Sequence, residues 1–189
     1  MKFKSSLAAL ALTIVPTFSL AWELDATESV VSFGSIKNDF IGEAHTFSGL
    51  SGTVDADGSV SVTIDLTSLD TNIDIRNERM AEHVFQGLAT AEISAAVDVA
   101  EIKKLRPGQS TTMEVDAVMN LLGNEVDVFL DAFVLKLSPS RVMVSTNTAA
   151  YLSTEELGVD AGIDVLQELA NLDSITRVTP ITLRLMFER

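Results

Sequence analysis

The sequence predicts an all-β protein, an eight-stranded antiparallel barrel with one helix after the third strand and one before the last strand. Three observations lead to this fold class. Polar and apolar residues alternate in about eight separate segments, which is the pattern of half-buried strands. Short turn sequences join many of these segments, so neighbouring strands are expected to run antiparallel. Closure into a barrel is favoured because it leaves no strand edge unpaired.

The first 21 residues are predicted to be a signal peptide. Lys2 and Lys4 precede an apolar run from Leu7 to Val15, and Ser19-Leu20-Ala21 has the small-x-small pattern of a cleavage site. The apolar run is shorter than the roughly 20 residues that a membrane-spanning helix needs. We expect cleavage after Ala21, export to the periplasm and one domain over residues 22–189, with an uncleaved anchor as the alternative.

The strands that follow differ in how clearly they alternate. The pattern is unbroken from Ser59 to Leu66 and clear from Ile181 to Phe187. The segment from Val126 to Leu137 is apolar on both faces in its middle, so we expect another element to cover its outer side. The predicted strands are 22–36, 42–55, 59–68, 91–103, 110–122, 125–137, 141–152 and 179–188.

Turns and helices separate these strands. Asp55-Ala56-Asp57-Gly58 and Leu122-Gly123-Asn124 are typical of hairpin connections. A first helix is predicted over residues 74–86, with Asp74 as its N-cap. A second helix is predicted over residues 159–172. The apolar faces of the two helices comprise Ile73, Met80, Ala81, Val84 and Phe85 in the first, and Val159, Ile163, Leu166 and Leu169 in the second.

Composition excludes several classes of partner. Two of the 13 basic residues and none of the 27 acidic residues lie in the predicted signal peptide, so the mature chain has a net charge of −16. Such a surface repels nucleic acid and anionic lipid headgroups. An anionic ligand would need a local basic site, for which Arg76, Arg79 and Lys37 are the candidates. The chain contains no cysteine, so disulfides cannot stabilise it.

The sequence offers no catalytic or metal-binding pattern. His45 and His83 are the only histidines, neither has ligand spacing, and both are predicted to lie on the surface. The turn Asp55–Gly58 lacks the closing glutamate of a calcium loop, because Ile64 stands at that position. We therefore expect no enzyme activity, no cofactor and no metal site.

An ordered set of motifs makes the chain similar to a known family. The motifs are Trp22–Asp25 with Ser29–Phe33, then Phe47–Gly52, then Asp70-Thr71 with Arg76–Met80 and Phe85, and finally Thr179–Leu183 after a helix. Together they resemble the YceI family of exported lipid-binding proteins. The resemblance implies a lipocalin-like barrel whose apolar tunnel holds a polyisoprenoid, such as a prenylquinone or a polyprenyl phosphate. The chain departs from the family pattern at three places: Lys37 stands where many members have histidine, Asn77 stands in place of aspartate, and no proline lies near Thr90. These departures indicate a different headgroup or a looser mouth.

The candidate ligand-binding residues lie on two strands and around the first helix. Arg76 is the expected headgroup donor, because a guanidinium binds phosphate or carbonyl oxygens with two hydrogen bonds. The alternative is that Arg76 pairs with Asp70 or Asp74 and holds the strand-to-helix corner. For the apolar members on the helix, plain packing against the barrel is the alternative to ligand contact. The full set is Phe33, Phe47, Ile73, Arg76, Arg79, Met80, Val84 and Phe85.

Three functions remain open from the sequence. The first is a periplasmic carrier for an isoprenoid lipid, without stable membrane insertion. The second is an integral outer-membrane barrel, which the scarcity of aromatic residues for girdles and the terminal Phe187-Glu188-Arg189 disfavour. The third is a ligand-free stress or interaction protein with a packed barrel. The sequence identifies neither the isoprenoid nor whether two barrels pair as a homodimer.

Overall fold

The structure, a computed structural model, describes residues 22–189, and the predicted signal peptide lies outside the described residues. The strands form one 12-stranded antiparallel sheet. The strands are β1 (Trp22–Leu24), β2 (Val30–Lys37), β3 (Ile41–Phe47), β4 (Leu50–Val54), β5 (Ser59–Asp65), β6 (Leu69–Asp70), β7 (Thr90–Ala96), β8 (Ser110–Leu121), β9 (Asn124–Ser138), β10 (Arg141–Thr146), β11 (Ala150–Ser153) and β12 (Val178–Glu188). The helices are α1 (Asp74–Arg79), α2 (Val99–Lys104) and α3 (Asp160–Leu169).

The sheet closes into the predicted eight-stranded antiparallel barrel. Four of the eight barrel strands bend, and each of these four consists of two consecutive short strands. The consecutive segments are β1 and β2, β3 and β4, β5 and β6, and β10 and β11. The last strand β12 pairs with β10 on one side and with both β1 and β2 on the other, which completes the ring. Four of the predicted strands are therefore each interrupted by a bend or a turn.

The β8–β9 ladder shows how the sequence pattern positions the interior. It runs from Ser110 opposite Leu135 to Leu121 opposite Asn124. Leu122 and Gly123 between the strands both have positive φ, at 54° and 81°, as a two-residue type I′ hairpin turn requires. Because alternate side chains point to opposite faces, Met113, Val115 and Ala117 project into the barrel. The predicted hairpin is confirmed.

The prediction of one strand over 91–103 is wrong in its second half. β7 ends at Ala96, and residues 99–104 form α2. Asp98 caps this helix by accepting a hydrogen bond from the backbone N–H of Ala100 at 2.8 Å. Val99 and Ile102, three residues apart on one helix face, are buried against the barrel interior. Helical spacing over so few residues is easily mistaken for strand alternation.

The first predicted helix consists of two parts. α1 is followed by a π-helical turn, Met80–Val84, in which Phe85 N–H donates to the Met80 carbonyl at 2.9 Å. The N-cap is Ile73, and Asp74 is the first helical residue, so the prediction of Asp74 as N-cap is wrong. α3 packs across the π-helical turn at Gly162, where an added Cβ would lie 2.3 Å from the His83 carbonyl oxygen. The two helices thus meet closely at one end of the barrel.

The outer face of β9 is less covered than predicted. Phe129 is 71% exposed and Leu137 is 42% exposed, so no described element covers them. Their neighbours Val128 and Lys136 on the inner face are buried. Within residues 22–189, no helix has the length and apolarity that crossing a membrane requires.

Candidate functional site

An apolar cavity of about 510 Å³ occupies the interior of the barrel. This volume is within the roughly 300–1,000 Å³ range of small-molecule sites. Aliphatic side chains from the barrel strands line most of the wall, and Val99 and Ile102 of α2 line it at one end. At the other end, which we call the mouth, the lining comes from the β2–β3 hairpin, from α1 and from α3 with the segment after it. Few bulky aromatic side chains point inward, so the lumen is not filled.

All eight sequence-predicted site residues line this cavity. Three of them form an aromatic series: the rings of Phe33 and Phe47 stack with centroids 5.3 Å apart, and those of Phe47 and Phe85 are tilted at 6.0 Å. Met80 and Val84 are buried beside Phe85. Ile73, Arg76 and Arg79 lie at the mouth. The cavity brings together every residue of the predicted set, and their contact with a ligand stays a prediction.

A charged cluster stands at the mouth. Glu43 on β3 accepts a hydrogen bond from Arg76 Nη1 at 2.7 Å and pairs with Lys37 Nζ at 3.1 Å. Burial raises the pKa of Glu43, but the hydrogen bond from Lys37 and the charge of Arg76 outweigh burial and hold this pKa below its ordinary value. The predicted pairing of Arg76 with Asp70 or Asp74 is wrong, because Glu43 on the neighbouring strand is the partner. This residue was missed from the sequence.

A second set of hydrogen bonds fixes the other side of the Arg76 guanidinium. Arg76 Nη2 donates to the Thr71 carbonyl oxygen at 2.5 Å. Thr71 is buried, and its N–H and hydroxyl both donate to Asn77 Oδ1, at 3.0 and 2.6 Å. A carboxylate oxygen would accept these two bonds equally well. The departure from aspartate at Asn77 therefore preserves the support of Arg76 and does not loosen the mouth.

His45 lies inside the barrel, so its predicted place on the surface is wrong. Its side chain is 3% exposed, its ring centroid is 5.1 Å from that of Phe33, and its Nε2 lies 3.2 Å from Ser35 Oγ. Burial lowers the pKa of His45, and the positive charge of Arg76 lowers it further. The alternation of Glu43, His45 and Phe47 along β3 was the signal that could have placed all three side chains inward.

Two nitrogen atoms at the mouth have no hydrogen-bond partner among residues 22–189, although they are buried: His45 Nδ1 and Arg76 Nε. Buried polar atoms are nearly always paired, because an unpaired one costs about 1–3 kcal/mol. The arginine atom can only donate, whereas the histidine atom donates or accepts according to its tautomer. This arrangement can hold a polar group with acceptor oxygens at the head of an apolar chain.

At the opposite end of the cavity, which we call the closed end, two cations pack on an aromatic ring. Trp22 is buried, and both Lys136 Nζ and the Arg189 guanidinium carbon lie 4.4 Å from its ring centroid. Burial lowers the pKa of Lys136, and the charge of Arg189 lowers it further. Cation–π contact with Trp22 compensates part of this desolvation. Over residues 22–189, no group of three histidine, aspartate or glutamate side chains is placed to hold a metal ion.

Comparison with known proteins agrees with this architecture. The family model described as YceI-like domain matches residues 22–183. The structure of a polyisoprenoid binding domain from Saccharophagus degradans, implicated in plant cell wall breakdown, is 33% identical, covers 89% of this chain and 98% of its own, and superposes with a TM-score of 0.86. BcnA from Burkholderia cenocepacia shares the fold at 17% identity, with coverage of 86% and 98% and a TM-score of 0.66.

A search of curated proteins found no match. The family model nevertheless spans most of the chain, from the first described residue to the middle of β12. Both solved structures are covered over 98% of their own length, so the similarity concerns the whole barrel rather than one motif. The chain therefore belongs to the YceI-like domain family.

Proposed function

We propose that this protein is an exported carrier that holds one polyisoprenoid lipid in its barrel. The observation that carries the proposal is the apolar cavity, at whose mouth the buried nitrogens His45 Nδ1 and Arg76 Nε lie without a hydrogen-bond partner among residues 22–189. The similarity to a polyisoprenoid binding domain supports the same ligand class. Export to the periplasm rests on the pattern of residues 1–21.

The cavity wall suits the tail of such a lipid. Burying one methylene contributes about 0.8 kcal/mol, so a long hydrocarbon chain binds with few polar contacts. Prenyl units are branched hydrocarbons, and the aliphatic and aromatic lining offers them contact without any group that needs a hydrogen bond. We place Phe33, Phe47, Met80, Val84 and Phe85 against the tail.

The mouth suits the headgroup. Arg76 Nη1 and Nη2 are already bonded to Glu43 and to Thr71, and Nε is the guanidinium nitrogen without a partner among the described residues. A quinone carbonyl and a phosphate oxygen share this acceptor chemistry. We therefore propose Arg76 and Arg79 as headgroup contacts, with Ile73 beside them, for a prenylquinone or a polyprenyl phosphate.

Binding, rather than catalysis, is the role that this lining supports. The polar groups at the mouth bond to one another. Ser35 Oγ lies beside His45 Nε2, but no described residue bonds to His45 Nδ1 and orients the ring as a catalytic triad would. The alternative of an integral outer-membrane barrel has less support. Glu114 and Asp131 are directly opposite each other on the outer wall of β8 and β9, whereas a membrane barrel presents apolar side chains to lipid.

The first test is native mass spectrometry of protein purified from its own periplasm, followed by solvent extraction. We expect one stoichiometric adduct that extracts as a prenylquinone or a polyprenyl phosphate. Recovery of a bare chain that stays unliganded after incubation with both lipids would contradict the proposal.

Arg76→Ala tests the headgroup contact, and Arg141→Ala is the matched control. Arg141 is also a partly buried arginine that pairs with carboxylates, but it lies at the closed end, beside Asp25 and Glu28. Loss of a hydrogen bond from a charged donor is worth about 1.5–3 kcal/mol, so Arg76→Ala is expected to weaken lipid binding about 10- to 100-fold. Equal affinities for the two variants would remove Arg76 from the site.

A further inference from the structure

Exposed apolar side chains surround the mouth. We call them the apolar rim: Phe40 and Ile41 in the β2–β3 hairpin, Ile73 and Ile75 at the start of α1, and Leu169 at the end of α3. Their exposed fractions are 81%, 38%, 44%, 51% and 47%. These five residues come from three separate parts of the sequence. They lie around the opening from which the cavity is reached.

Hydrogen bonds hold the three parts of the rim together. Asn38 N–H donates to the Ser174 carbonyl at 2.9 Å, and Ser174 Oγ donates to Asp39 Oδ1 at 2.6 Å, which ties the hairpin tip to the segment after α3. The Arg76–Glu43 pair ties α1 to the same hairpin. The segments that carry the rim are therefore held in fixed positions relative to the opening.

The rim is continuous with the cavity. Ile73 and Ile75 are both exposed to solvent and both part of the cavity lining. A hydrocarbon chain that leaves the lumen at this point passes from apolar lining to apolar rim. We propose that the rim docks reversibly on the surface of a zwitterionic phospholipid bilayer, from which the isoprenoid enters the cavity. This inference rests on the proposed carrier function.

Chemistry favours a bilayer as the occupant of the rim. The proposed ligand is a lipid that partitions into membranes, and aromatic and aliphatic side chains at a loop tip insert into the headgroup boundary. Charge selects the kind of bilayer. Exposed Asp39, Asp74 and Glu168 flank the rim, and the mature chain is strongly acidic, so an anionic surface would repel this face.

Phe40→Ser tests the docking, and Phe129→Ser is the matched control. Phe40 is 81% exposed at the rim and Phe129 is 71% exposed on the barrel wall, so both variants remove one solvent-exposed ring and both are expected to fold. Each protein is mixed with phosphatidylcholine vesicles that carry a prenylquinone or, in a parallel series, a polyprenyl phosphate. The loading rate is measured after the vesicles are removed. Each protein is also loaded from detergent micelles.

We expect Phe40→Ser to load from vesicles about tenfold more slowly than wild type, and Phe129→Ser to load at the wild-type rate. Loading from micelles is expected to be equal for all three proteins. Replacing half of the phosphatidylcholine by phosphatidylglycerol is expected to slow the wild-type protein, and an unchanged or faster rate would overturn the zwitterionic preference.

Four other outcomes would overturn the docking proposal. Equal vesicle loading by Phe40→Ser and wild type would remove the rim from lipid uptake while leaving the carrier function intact. Failure of wild type to load from micelles would reject the carrier function itself and the docking with it. If the protein loads from vesicles only after a periplasmic extract is added, the rim binds a protein partner. If wild type is a dimer that Phe40→Ser dissociates, the rim binds a second copy of this chain.

Discussion

At each end of the barrel two positive charges meet at one residue, an aromatic ring at the closed end and a carboxylate at the mouth. At the closed end, Lys136 and Arg189 lie against the ring of Trp22 and have no acidic partner within the described residues. At the mouth, Lys37 and Arg76 converge on Glu43. The ring of Trp22 attracts both cations through its π face and leaves their N–H groups to other acceptors or to solvent. A carboxylate satisfies only the atoms that it reaches, and Arg76 Nε remains unpaired.

From this difference we assign stability to the closed end and, on the carrier proposal, ligand binding to the mouth. The closed end is completed by side chains of the protein itself, including Trp22 and the apolar face of α2. The mouth has its polar atoms fixed in place but incompletely bonded, as expected where a ligand completes the set. The following variants test this assignment.

Trp22→Ala is expected to have the largest effect. Removal of a buried tryptophan costs about 3–5 kcal/mol in unfolding free energy, and here it also removes the partner of Lys136 and Arg189. Chemical denaturation measures the loss. Phe129→Ala on the exposed wall is the control, with an expected change under about 0.5 kcal/mol. Comparable losses in the two variants would show that the closed end is not a stabilising cluster.

Gly162→Ala tests the close contact of the helices at the mouth. Its new Cβ would meet three backbone atoms: the His83 carbonyl oxygen at 2.3 Å, Val84 Cα at 2.6 Å and the His83 carbonyl carbon at 2.8 Å. Overpacking of this kind lowers the free energy of unfolding by about 1–3 kcal/mol. The higher helix propensity of alanine offsets less than about 1 kcal/mol of this loss. Gly42→Ala is the control, because its Cβ would meet nothing within 4 Å. Thermal unfolding of both variants decides the prediction, which fails if Gly162→Ala is as stable as the control.

Glu43→Gln sharpens the comparison by removing the negative charge from the mouth. Lys37 and Arg76 would then lack their carboxylate, so affinity for polyprenyl phosphate is expected to rise about tenfold while affinity for a prenylquinone stays level or falls. Titration with each lipid in micelles measures both. Glu114→Gln, on the outer wall, carries the same change of charge and is expected to alter neither. A rise for both lipids would show that charge at the mouth does not select the headgroup.

The smallest expected effect is a pH dependence of stability due to His45. Since burial lowers its pKa in the folded state, the unfolded chain takes up the proton first as pH falls below about 6.5. The stability due to the neutral ring is therefore fully present above pH 6.5 and is lost as pH falls below it. Denaturation midpoints between pH 7.5 and 5.5 should fall in wild type and in His83→Gln. A wild-type slope that persists in His45→Gln would assign the effect to other groups.

Local sequence patterns predicted much of the fold because each barrel strand has one buried face. The unbroken alternation of Ser59 to Leu66 places β5 correctly. Leu122-Gly123 predicts the β8–β9 turn because a type I′ turn needs positive φ, which glycine adopts readily. The predicted strand at 91–103 failed at α2, where Asp98 caps a helix too short to display its periodicity. The stripe on α3 failed at its end, because Leu169 is exposed at the rim rather than packed.

The sequence by itself determined which side chains are apolar and at what period, and hence the barrel and many of the apolar residues that line it. The tertiary structure alone decided which charges meet. Glu43 and Arg76 are 33 residues apart, and only the closure of β3 beside the start of α1 brings their atoms within 2.7 Å. Periodicity is local, because it follows from backbone geometry, whereas pairing between distant residues depends on strand register and on the bend of every strand between them.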